Sequence, residues 1–332
     1  MKNTIRIHRF ENPQWGRAHL PFFKSFDNYL TDFFDVDVVN YNKDGNTFSG
    51  AIKLVKSVRS FGTTPPLSDV DNVIENLNTG EIKVISCTEY FNSYVCHLAK
   101  SDTCSSVLLS HFNWQNVYYW MRKEGAVNHL YKVKPWIFLP FTNFDYKQQR
   151  IERKKIENFD EKMFWLGSGV DDYRKMIRII EQKGFLQPIE TVGFEEYINK
   201  LKRSKIGLSY YTRLDRYNTP YDYPGEFCYR DIEYMLVGLP FIRIEYKDVT
   251  DKLLLPNHHY ISIPREHAYV AYEKYGDEGV ADLYISRYNE VINDSDYLNY
   301  ISENQIKWSD EIYDGNNKEK ITFDLLKLEG WV

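Results

Sequence analysis

The sequence predicts an α/β protein of two domains, each built around a mainly parallel sheet. Short apolar runs of strand length alternate with longer amphipathic runs of helix length, which is the pattern of βαβ units. The chain has 332 residues, more than the roughly 100–200 that one domain usually holds. Its composition, 43% apolar and 27% charged, is that of a globular protein able to bury a large core.

The first apolar run, residues 4–10 (TIRIHRF), predicts a strand. A polar loop at 11–17 follows, then a helix over about 20–33 whose Phe22, Phe23, Phe26, Tyr29, Leu30 and Phe33 share one face. A second strand is predicted at 36–41. Residues 42–80 are less regular and contain a turn-prone Thr-Thr-Pro-Pro run. Strands are then predicted at 83–89 and 106–112, with helices at 90–99 and 115–123, and a last strand of this half at 136–141 (WIFLPF). Residues 143–162 are charged and weakly apolar, and read either as a linker between domains or as a solvated helix. The second half begins with a strand at 163–166, a Gly167-Ser168-Gly169 turn, and helices at 171–183 and 193–202. Strand 206–211, an aromatic loop over 212–224 and a helix over 226–237 come next. Gly238 and Pro240 stop that helix, because glycine closes helices well and proline cannot continue them. Strands at 241–244 and 260–263 precede a mainly helical C-terminus.

Several classes of protein are disfavoured. The net charge is −5 and no long basic run occurs, which argues against a sequence-independent grip on nucleic acid. The four cysteines, Cys87, Cys96, Cys104 and Cys228, form no CxxC pair; with so few in so long a chain they read as thiols in a reducing compartment, so a cytoplasmic location is expected. The N-terminus has no apolar stretch typical of a signal peptide, and no apolar run approaches the length of a membrane span; attachment to a membrane surface stays open. Tyr and Phe are abundant, at 27 and 20, which suits sugar and base recognition but equally reflects codon bias.

The chemistry points to residues 223–240. A helix opening at Gly225 would offer free backbone N–H groups and the positive end of its dipole, which suit a diphosphate. Such a helix start lies at the carboxyl edge of the sheet, where open α/β sheets bind ligands. Arg230 and Glu233 are three apart and so share a helical face. The arginine can offset phosphate charge, and a carboxylate suits the vicinal hydroxyls of a ribose. A plain surface ion pair is the competing reading.

Arg230-Asp231-Ile232-Glu233, an apolar run, then Gly238-Leu239-Pro240 and an apolar strand resemble the nucleotide-binding signature of GT-B fold glycosyltransferases. The resemblance implies two Rossmann-like domains facing a cleft. Residues 1–145 would form the acceptor side. Residues 146–332 would form the nucleotide-sugar domain with its C-terminal helices. It implies that Glu233 binds the donor ribose, that Gly167 and Ser168 approach the donor phosphates, and that His111 matches a strand-end histidine touching the donor sugar. Many retaining members carry two glutamates eight apart; here Glu226 and Glu233 are seven apart, and Gly225 stands where the first is expected. The role of Glu226 and the choice between inversion and retention stay open.

The expected reaction is transfer of a hexosyl or related sugar from a UDP- or GDP-sugar, serving as substrate rather than cofactor, to a glycan or other hydroxyl acceptor. Charge would develop on the leaving diphosphate, with Arg230, Arg213, Arg216 and the Gly225 helix start stabilising it. An inverting enzyme also needs a general base; Glu11, His19, Glu89 and His111 are candidates, Glu11 foremost. No essential metal is expected: Asp35-Val36-Asp37 sits at a strand start, and His258-His259 on a strand would point to opposite faces. A GT-B sugar-nucleotide epimerase and a non-catalytic nucleotide-sugar-binding protein are the alternatives. A nicotinamide dehydrogenase is disfavoured, because no G-x-G-x-x-G follows the first strand.

Overall fold

The computed structural model describes residues 3–10, 34–41, 54–55, 84–88, 96, 99–100, 104–109, 114–135, 146–166, 175–190, 192–210, 229–245 and 254–313. The chain divides into two compact units, Met1–Asn143 with Lys318–Val332, and Phe144–Asn317.

In the first unit, β1 (Asn3–Phe10) pairs in parallel with β2 (Phe34–Tyr41), Asn3 opposite Phe34 and Phe10 opposite Tyr41. The helix expected between them lies outside the described residues. A second parallel sheet has the order β3-β4-β5-β6, comprising Leu54–Val55, Val84–Thr88, Cys104–Leu109 and Val133–Pro135. Parallel neighbours need a crossover, and between β4 and β5 it includes helical residues Cys96 and Ala99, both fully buried. Burial pushes the Cys96 thiol up to about 12, so it is an inert core group. The helix α1 (Trp114–Lys123) buries Val117 and Met121, four residues apart on one face. A 3-10 turn, Val127–Lys132, leads into β6. Two elements escaped sequence reading: β3 and β6 have two and three residues, too short for a period to register. The strand expected at 136–141 lies outside the described residues.

The second unit holds a doubly wound sheet. Met163 bridges Leu186 and Phe164 bridges Gly207, both in parallel. Then β7 (Gly207–Leu208), β8 (Phe241–Ile244) and β9 (Ile261–Ile263) continue in parallel. Numbered along the chain, the five strand positions stand in the order 2-1-3-4-5. The order reverses between Phe164 and Gly207. Right-handed crossovers running in opposite directions place their helices on opposite faces. Accordingly, α3 (Lys175–Gln182) packs with α6 (Arg265–Val291). On the other side α4 (Phe194–Arg203) and α5 (Tyr229–Val237) both pack with α2 (Tyr146–Arg153), and α7 (Ser295–Tyr313) packs with α5. The core between the layers includes Met163, Ile177, Ile180, Leu208, Ile242, Ile261, Ala281 and Tyr284.

The segment expected as a linker or solvated helix contains α2, which is neither. Tyr146, Arg150 and Arg153 are buried, because the two arginines close the ends of neighbouring helices. Arg150 Nε donates to Leu236 O at 2.6 Å, a carbonyl in the last turn of α5, and Arg150 Nη1 pairs with Asp310 of α7 at 2.6 Å. Arg153 Nη1 donates to Lys202 O and Ser204 O at the end of α4, at 2.5 and 2.6 Å. Those carbonyls have no intrahelical partner, so buried guanidinium donors there satisfy both sides. Burial lowers Arg153 to about 10, which leaves it charged at neutral pH.

Two glycines set the position of α5. Gly238, at φ 69°, closes it: Leu239 N bonds to Tyr234 O at 2.8 Å and Gly238 N to Met235 O at 3.1 Å, a Schellman motif. At Gly207 a Cβ would stand 2.9 Å from the Tyr234 ring. The bare backbone there lets Tyr234 lie on the sheet and donate to Phe164 O or Leu208 O, at 3.1 and 3.2 Å.

Candidate functional site

The strands that flank the reversal end, at their carboxyl ends, in Trp165-Leu166 and Ser209-Tyr210. A doubly wound sheet offers its crevice for ligands at such a point. The starts of α4 and α5 lie at the same edge, because each follows a strand whose carboxyl end is there. One turn into each, the two helices meet. Tyr197 of α4 donates its hydroxyl to Glu233 Oε2 of α5 at 2.5 Å. The Tyr197 ring packs on Phe164, with centroids 5.8 Å apart. Arg230 stands on α5 with its guanidinium carbon 5.0 Å from the centre of the Trp165 ring, a cation–π contact. Arg230, Tyr197 and Glu233 are all half-buried.

Burial raises the Glu233 carboxyl above its usual range, and the nearby Asp231 charge adds to this. The Tyr197 hydrogen bond and the Arg230 charge pull the other way. Tyr197 is pushed well above the usual phenol range, first by burial and then by Glu233, so it stays a neutral donor.

Beneath this pair lies a second, sealed polar cluster. Asp231 is 0% exposed, Arg243 of β8 1% and Ser209 0%. Arg243 Nη1 donates to Asp231 Oδ2 at 2.7 Å and to Ser209 Oγ at 2.9 Å, while Ser209 Oγ also bonds Asp231 Oδ1. Tyr284 of α6 donates to Ser209 O at 2.9 Å. A carboxylate and a guanidinium can be taken from water together only when paired and hydrogen-bonded, as here. The cluster ties the first turn of α5 to the ends of β7 and β8, and so holds Arg230 and Glu233 at the sheet edge.

Of the residues singled out from sequence, Arg230 and Glu233 stand on one helix at the expected edge. Glu11, His111, Gly167, Ser168, Arg213, Gly225 and Glu226 lie outside the described residues, as do His19, Glu89 and Arg216. His258 and His259 are not on a strand: they form a turn after Asn257, which has φ 56°. Their rings do not diverge as expected but meet edge-on, with centroids 4.5 Å apart. Each has its Nδ1 engaged, His258 with the Tyr300 hydroxyl and His259 with Leu255 N, and burial lowers His259 to about 4. Among the described residues no group of three or more His, Cys, Asp or Glu is arranged to hold a metal, and no helix is long and apolar enough to cross a membrane. A shallow groove lined by Glu152, Lys155, Asn199 and Lys202 lies at the far end of α4, away from Glu233.

Sequence reading missed Tyr197, Asp231 and Arg243. Arg243 carried a signal: a charge inside a four-residue apolar strand must have a buried partner. Tyr197 carried none, since a tyrosine in an amphipathic helix reads as packing.

No protein-family model and no curated protein matches the chain. Solved structures do. A glycosyltransferase from Rickettsia africae superposes with a TM-score of 0.53 at 9% identity, over 99% of this chain and 98% of that one. Sucrose-phosphate synthase from Thermosynechococcus elongatus gives 0.53 at 11% identity, over 98% of each chain. HepE from Anabaena, in complex with UDP and glucose, gives 0.52 at 11%, over 97% of this chain and 99% of that one. These neighbours are GT-B glycosyltransferases, the family that residues 230–242 resemble. At that identity the likeness is one of fold.

Proposed function

We propose that this chain is a glycosyltransferase that takes its sugar from a nucleoside diphosphate sugar, with α5 as the nucleotide-binding element. One observation carries the reading: Arg230 and Glu233 stand together at the carboxyl edge of a doubly wound sheet, beside its reversal, in a chain that shares its fold with glycosyltransferases. The complex of HepE with UDP and glucose supports UDP as the first nucleotide to try.

In this reading Glu233 accepts from the ribose and Arg230 faces the diphosphate. Gly167, Ser168, Arg213, Gly225 and Glu226, which lie outside the described residues, are the candidates to complete the phosphate site. The bond between the sugar C1 and the phosphate oxygen breaks, and the electron pair leaves with the nucleoside diphosphate. Cations and N–H groups fixed in advance stabilise that charge best, because they need no reorganisation during the step. The acceptor hydroxyl oxygen bonds to C1 and gives up its proton; Glu11 or His111 takes it if the reaction inverts.

The test is a thermal-shift and calorimetric titration with UDP, GDP and their sugars, on the unaltered protein and on Glu233→Ala. A ligand at a hundred times its Kd adds about 2.7 kcal/mol of stability. Binding that survives Glu233→Ala unchanged refutes the ribose assignment. Product analysis with donor alone separates transfer from epimerisation.

A further inference from the structure

We propose that Tyr197 and Glu233 act as one reader of the donor's two vicinal ribose hydroxyls, so that the site selects ribonucleotides over deoxyribonucleotides. This rests on the reading of α5 as the nucleotide-binding element and adds a specificity residue from a different helix.

Tyr197 has a single hydroxyl proton, and it is committed to Glu233 Oε2 at 2.5 Å. Glu233 Oε1 makes no hydrogen bond to any described residue. The Tyr197 oxygen, its proton spent, still accepts through its lone pairs. Two acceptors therefore stand side by side on a rigid base: Glu233 Oε1 and Tyr197 Oη. A ribose presents two adjacent hydroxyls, each a donor. One proton goes to each acceptor, and no group is left with two donors or two acceptors facing one another. With Oε2 taken by the tyrosine, the carboxylate has one oxygen left for the diol, and the tyrosine oxygen supplies the second acceptor at a position that Oε2 does not occupy.

The tyrosine is also held in place before any ligand arrives. Its ring lies 5.8 Å from Phe164, which in turn meets Tyr234 at 6.0 Å. Tyr234 is anchored by its hydroxyl to the backbone carbonyls of Phe164 and Leu208. Strand, α4 and α5 thus fix the two acceptors relative to one another, and little side-chain ordering remains to be done on binding. A deoxyribonucleotide leaves one acceptor unmatched in a half-buried site, which costs affinity.

Among the described residues, the titratable groups that act on Glu233 are Tyr197 from α4, and Arg230 and, through its charge, Asp231 from its own helix. Of these, Tyr197 holds the carboxyl down through its hydrogen bond. Removing that bond lets the carboxyl rise further, so binding that needs the carboxylate should begin at higher pH.

The experiment is calorimetry with UDP, 2′-deoxy-UDP and 3′-deoxy-UDP, or the GDP set if GDP binds more tightly, on the unaltered protein, Tyr197→Phe and Glu233→Gln. The unaltered protein should prefer UDP over at least one deoxy form by about ten- to a hundredfold. Tyr197→Phe keeps the ring and should abolish most of the preference for one hydroxyl only, while moving the acid limb of UDP binding to higher pH. Equal affinity of the unaltered protein for all three ligands overturns the proposal, with no variant needed. So does an unchanged preference in Tyr197→Phe. In either case weaker UDP binding by Glu233→Gln leaves the nucleotide reading of α5 standing. Failure of every nucleoside diphosphate to bind overturns both.

Discussion

Asp231 and Glu233 stand two residues apart on α5 in opposite surroundings. Asp231 is sealed from solvent, and both its oxygens are taken, by Arg243 and by Ser209. Glu233 is half-buried, touches a neutral phenol, and keeps one oxygen without a hydrogen bond to the described residues. The first arrangement balances charge and leaves nothing for a ligand. The second leaves acceptor capacity at a sheet edge. A carboxylate's chemistry is thus decided by its partners: full charge pairing makes a strut, and incomplete pairing leaves acceptor capacity, which the proposed function assigns to a ribose.

The largest effect should come from breaking the strut. Asp231→Ala or Arg243→Ala strands a buried charge and should cost about 3–5 kcal/mol in urea unfolding. Replacing both, Asp231→Leu with Arg243→Met, should cost far less than the sum, because the pair leaves together. Additive losses would mean that the two residues do not act as a pair.

Glu233→Ala should do the reverse. It should leave urea unfolding nearly unchanged and weaken UDP binding by about 10- to 100-fold, the worth of a hydrogen bond to a charged group. If Glu233→Ala unfolds the protein while Asp231→Ala spares it, the assignment of roles is inverted.

A smaller effect follows pH at Glu233. The Glu233 carboxyl is raised in the folded protein. Its contribution therefore favours folding fully below the unfolded carboxyl value of about 4.3 and is lost as pH climbs through the raised folded value. Melting temperature followed against pH should show the unaltered protein losing ground to Glu233→Gln across that climb. Nucleotide binding should move the opposite way and strengthen as the carboxylate forms.

The smallest effect is the surface control. Arg178 pairs with Glu181 at 2.8 Å but is 45% exposed. Arg178→Ala should change stability by no more than about 0.5 kcal/mol, since solvent screens such pairs. A loss comparable to that of Arg243→Ala would show that burial is not what distinguishes the buried pair.

Much of this was open to sequence reading where the signal is local. β1, β2, β4, β8 and β9 stand where apolar runs of strand length predicted them, and α1 and α4 where apolar spacing did. The end of α5 was written in Gly238 and Pro240. The linker was misread because charge suggests solvent, whereas Arg150 and Arg153 are buried against carbonyls 49 to 86 residues away. The turn at His258-His259 was misread as strand because one residue in the left-handed region, Asn257, leaves no mark on hydropathy.

By itself the sequence determined the alternation of strands and helices, the helix carrying Arg230 and Glu233, and their shared face, since these depend on residues within a turn or two of each other. Only the tertiary structure decided that Asp231 serves Arg243, twelve residues on, and that Glu233 meets Tyr197, 36 residues back on another helix. Those pairings depend on the order of strands in the sheet, which brings α4 and α5 side by side, and on burial, which leaves a charged group no partner but the one the fold supplies.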